Sequence, residues 1–67
     1  MINKETLLKF AKIEAKKRMA KALDNLIYLR EVVDTYVTDD MVKRQSIKAI
    51  EYLEDQIRVV EKIVNEL

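Results

Sequence analysis

Cysteine, histidine, glycine and proline are all missing from this 67-residue sequence, and each absence removes a class of structure or chemistry. Without cysteine there are no disulfides, and without cysteine or histidine the common structural zinc sites cannot be built. The usual nucleophile–base pairs of enzymes go with them. Lack of glycine removes phosphate-cradling loops and the preferred turns of β-hairpins, which need positive φ at one or two positions. Asparagine can stand in for glycine there, but Asn3, Asn25 and Asn65 do not separate strand-like runs. Long hydrophobic runs are also missing: the longest stretch without a charge is Asn25 to Leu29, far short of a membrane span. Lys9, Lys12, Lys16 and Lys17 interrupt the region where a signal peptide would carry its apolar core. A soluble cytoplasmic protein without cofactor or metal is expected.

What remains is 49% apolar and 37% charged, a balance that suits an ordered helical protein and not a disordered one. One domain, residues 1–67, is the most such a chain can form, and a domain this small needs a staple. With disulfides and zinc excluded, association with a second copy is the default.

Periodicity predicts two helices, about 4–36 and 39–66. In the first, Leu8, Ala11, Ala15, Met19, Ala22, Leu26, Leu29, Val33 and Tyr36 or Val37 recur at three- and four-residue spacing. Asn3 is a good N-cap, and Ile2 and Leu7 stand in hydrophobic-staple positions around it. A second start falls at Thr38, with Val37 and Val42 as its staple and Asp39 and Asp40 in the first turn. Helix 2 carries Val42, Ala49, Ile50, Leu53, Ile57, Val60, Val64 and Leu67, widened by Met41, Tyr52, Val59 and Ile63. That face covers roughly half the circumference, wider than the ~100° stripe of a simply packed surface helix. A break near Asp24-Asn25, giving three helices, is disfavoured because Ala22, Leu26 and Leu29 keep phase through it.

The fold expected is therefore all-α: an antiparallel two-helix hairpin that dimerises into a four-helix bundle. Its oligomer interface is assigned to Leu26, Leu29, Val33, Ile50, Tyr52, Leu53, Ile57, Val59, Val60, Ile63 and Val64. Parallel and antiparallel docking of the hairpins both remain open, as does a larger assembly.

Charge is segregated. Residues 1–21 hold seven Lys and Arg against two Glu, or +5, and residues 22–67 hold six against ten, or −4. One consequence is register: an antiparallel hairpin brings Glu54, Asp55, Glu61 and Glu66 near Lys9, Lys12 and Lys16, and the charges then select orientation. The other is a nucleic-acid surface made of Lys9, Lys12, Lys16, Lys17, Arg18 and Lys21. Phe10 is the only bulky aromatic residue among those cations. RNA-binding hairpins that dimerise supply an architectural analogy, without a shared motif.

Candidate chemistry is sparse. Ser46, the single serine, has Lys43 as a helix neighbour. Glu51, Glu54 and Asp55 share a helix side predicted to face outward, with no histidine to complete an inward metal site. A non-enzymatic helical interaction module acting as a homo-oligomer is the expected function. The alternative is a small nucleic-acid-binding regulator.

Overall fold

The computed structural model describes residues 3–67 and consists of two helices packed against each other, α1 (Lys4–Tyr36) and α2 (Asp40–Glu66). At 1.5 Å per residue their 33 and 27 residues make rods of about 50 and 40 Å. The whole is a slab of 56 × 16 × 11 Å measured over Cα atoms. No break occurs at Asp24-Asn25.

Local chemistry sets the helix ends. Asn3 is extended and its Oδ1 accepts from the Thr6 N–H at 2.8 Å, satisfying one of the unpaired donors of the first turn. The staple expected between Ile2 and Leu7 lies outside the described residues. At the other end, extended Val37 donates its N–H to the Val33 carbonyl at 3.0 Å and closes the helix. No residue of the connector needs positive φ, so the chain reverses without glycine.

The start of α2 corrects the expectation at Thr38. The cap is Asp39: its Oδ1 accepts from both Met41 N–H and Val42 N–H at 3.0 Å. A carboxylate accepts two donors as charge-assisted bonds and sits at the positive end of the helix dipole, which a neutral hydroxyl at Thr38 cannot match. The Val37–Val42 pair accordingly does not bracket the cap. Asp39→Ala should destabilise the protein by about 1 kcal/mol, whereas Thr38→Ala should be close to neutral. Thermal melts of the two variants check this, and equal losses would restore the cap to Thr38.

Two side chains are enclosed among the described residues, Val33 at 7% exposure and Ile50 at 3%. Around them the half-buried positions trace the seam. On α1 these include Ala15, Met19, Ala22, Leu26 and Arg30, in the connector Val37, and on α2 Ser46, Ile47, Glu54, Ile57, Glu61 and Val64. The core is thickest toward the turn, where the larger side chains of α1 lie.

Arg30 and Glu51 pair across the seam at 3.4 Å. Continuing that antiparallel register brings the end of α2 level with roughly residue 14 of α1, so the first turns of α1 extend past it as an overhang of about 15 Å. Leu7, Leu8 and Phe10 on this overhang are exposed.

Candidate functional site: an open apolar face

The seam does not run down the middle of α2's apolar arc. At ~100° per residue, the half-buried positions of α2 centre roughly 90° away from the middle of the apolar arc. Two consequences follow. Glu54 and Glu61, expected on the outward side, are drawn into the seam: the Glu54 side chain is only 14% exposed, and its enclosed Oε1 has no hydrogen-bond partner. Conversely, Val42, Leu53, Val60 and Leu67 remain exposed, with Leu53 at 48%. Met41, Tyr52, Val59 and Ile63 continue that surface around the outer edge of α2 and are also exposed.

The residues assigned to an oligomer interface thus divide into two sets. Leu26, Val33, Ile50, Ile57 and Val64 lie at the hairpin's own seam. Leu29, Tyr52, Leu53, Val59, Val60 and Ile63 face solvent.

Both helices turn apolar surface to the same broad side. The Arg30–Glu51 pair marks one flank of the seam as polar. Passing from it across the seam, the helical repeat brings up Ala22, Ala11, Leu29 and Tyr36 on α1, and Leu53, Val42, Val60, Ala49 and Leu67 on α2. Of these, Leu29, Tyr36, Val42, Leu53, Val60 and Leu67 are large side chains left in water. On α1 the exposed Arg18, at the same helical angle as Tyr36, interrupts this surface, whereas on α2 the apolar row from Val42 through Leu53 and Val60 to Leu67 carries no charge. Ile13, Ile27, Phe10 and Tyr28 are exposed on other sides of α1 and do not join it.

The cations of α1 do not form one patch. Lys9, Lys12 and Lys16 gather around an open groove of about 360 Å³ at the overhang, completed by Glu5, Leu8, Ile13 and Leu67. Lys17 and Lys21, one turn apart, point to a different side of the helix. Arg18 is held by Glu14, its Nε donating to Oε1 at 3.1 Å. The register role expected for Lys9, Lys12 and Lys16 takes another form as well. Among the described residues the ion pair that crosses the seam is Arg30–Glu51, while Arg58 pairs within α2, with Glu54 and Asp55. Ser46 is half-buried at the seam beside Ile47, and Lys43 is half-buried one turn before it.

Among the described residues no helix is long and apolar enough to cross a membrane. No protein-family model, no curated protein and no solved structure is significantly similar to the chain.

Proposed function

We propose that this protein is a non-enzymatic helical interaction module that works as a homo-oligomer, two hairpins burying their apolar broad faces as a four-helix bundle. The observation that carries this is the position of Leu53 and Val60: apolar, central on α2, and left outside the hairpin's own seam. The broad side measures 56 by 16 Å over Cα atoms, an outline of about 900 Å² that has room for the ~800 Å² per partner of a standard-size interface. With two side chains enclosed among the described residues, the hairpin also has little core of its own to oppose conformational entropy.

A second reading is favoured by the grouping of Lys9, Lys12 and Lys16 around one groove. Three ammonium groups within about two turns of helix suit a phosphate backbone, and such binding weakens steeply with salt. It assigns the protein to small nucleic-acid-binding regulators and is compatible with the same bundle, because those lysines lie away from the apolar face.

One experiment addresses both readings. Sedimentation from high to low micromolar concentration, with and without a short RNA duplex, measures the particle's mass. The homo-oligomer reading expects a particle of at least two chains that dissociates on dilution, with a melting temperature that falls in step. A compact monomer whose melting temperature ignores dilution would overturn it. Comigration with the duplex at low salt, lost when Lys9, Lys12 and Lys16 are all changed to glutamine, would establish the second reading.

A further inference from the structure

The hairpin is an axial dipole. Taking the Arg30–Glu51 register, residue 22 stands level with residue 59, which divides the slab into two halves. The turn half, residues 22–59, holds five Lys and Arg against eight Asp and Glu, a net −3. The open half, residues 3–21 and 60–67, holds eight against four, a net +4. Folding therefore carries the segregation visible in the chain onto one axis of the slab, slightly reduced.

From this distribution we infer that the occupant of the apolar face is a second copy docked antiparallel, each acidic turn lying against the basic overhang of its partner. The orientation rests on the homo-oligomer reading. A two-fold axis lying in the interface across the rods and one lying in it along the rods both bring the apolar faces together, so apolar burial alone does not choose between them. Charge does. Parallel docking sets basic overhang beside basic overhang at one end and acidic turn beside acidic turn at the other. Antiparallel docking sets +4 against −3 at both ends. The Debye length is ~10 Å at 0.1 M salt and longer at lower ionic strength, so the end-to-end charge difference acts between the subunits most strongly in dilute salt. Antiparallel docking also covers the exposed Leu7 of the overhang with the partner's turn, where Tyr36 and Val42 are exposed.

Because the chain has no cysteine, a single spin label reports the orientation without ambiguity. Thr38→Cys places the label in the exposed connector and outside both helices. Ala20→Cys places it at mid-length of α1, on an exposed position away from the apolar face. Dipolar spectroscopy on the labelled full chain should give a Thr38 pair distance near the rod's length, on the order of 50 Å. The Ala20 pair should lie below about 35 Å, since mid-length positions stay level in either orientation. Added salt should raise the dissociation constant several-fold by screening the attraction. A Thr38 distance below about 25 Å, with an oligomer tightened by salt, overturns antiparallel docking and leaves the homo-oligomer standing. A monomeric mass with no dipolar coupling at either label overturns both.

Discussion

Leu53→Asp is expected to abolish the proposed association at micromolar concentration. In the isolated hairpin Leu53 is 48% exposed, so an aspartate there would keep its water and cost only helix propensity, roughly 0.5 kcal/mol. In the proposed bundle the same carboxylate would be buried without a partner, which costs at least about 3 kcal/mol. A symmetric interface carries the change twice, so the dimer is weakened by roughly four powers of ten. Sedimentation should show a monomer, and circular dichroism should show lost helix, because the released hairpin is close to marginal. Lys62→Asp, on the polar side of α2, supplies the control: it alters the axial charge balance but buries no carboxylate, so its effect on mass and melting should be far smaller than that of Leu53→Asp. A Leu53→Asp variant that sediments and melts like the parent would remove the apolar face from any role in assembly.

Ile50→Ala produces the second large effect, and it acts inside one chain. The side chain is 3% exposed in the hairpin alone, so its truncation leaves a cavity whether or not a second copy is present. Leu and Ile truncations in cores cost 2–5 kcal/mol, and each kcal/mol moves the midpoint of a domain this size by about 4–8 °C. A fall of roughly 12–24 °C is expected for a loss near 3 kcal/mol. Thermal melts at matched strand concentration measure it. Val60→Ala, on the open face, should lower the midpoint in the associated protein only, and its effect should fade on dilution. Equal, concentration-independent losses at the two sites would mean that Val60 is packed within the hairpin.

Much of the architecture was legible because the deciding interactions are local. The missing glycine and proline, the three-and-four spacing from Leu8 to Val33, and the capping residue Asn3 each act within a few residues. They predict two long helices, and α1 and α2 match them closely. The cap at Asp39 was misplaced by one residue because Thr38 and Asp39 both carry competent acceptors. The winner is the one whose charge accepts two N–H groups together. That preference is chemical and was readable; position alone was the weaker guide.

The candidate site was only half legible. Periodicity established that Ile50, Leu53, Ile57 and Val60 share a broad side of α2. It did not divide them into seam and open face. Rotation of a helix about its own axis changes none of its internal hydrogen bonds, so sequence spacing leaves it free. The connector of Val37, Thr38 and Asp39 and the packing around Val33 and Ile50 set it here. By itself, then, the sequence determined the helical class, the two-helix division and an apolar arc too wide for one neighbour. Tertiary structure alone decided the seam at that arc's edge, with Glu54 drawn inward and Leu53 left outside, because side-chain packing between distant segments chooses the rotation.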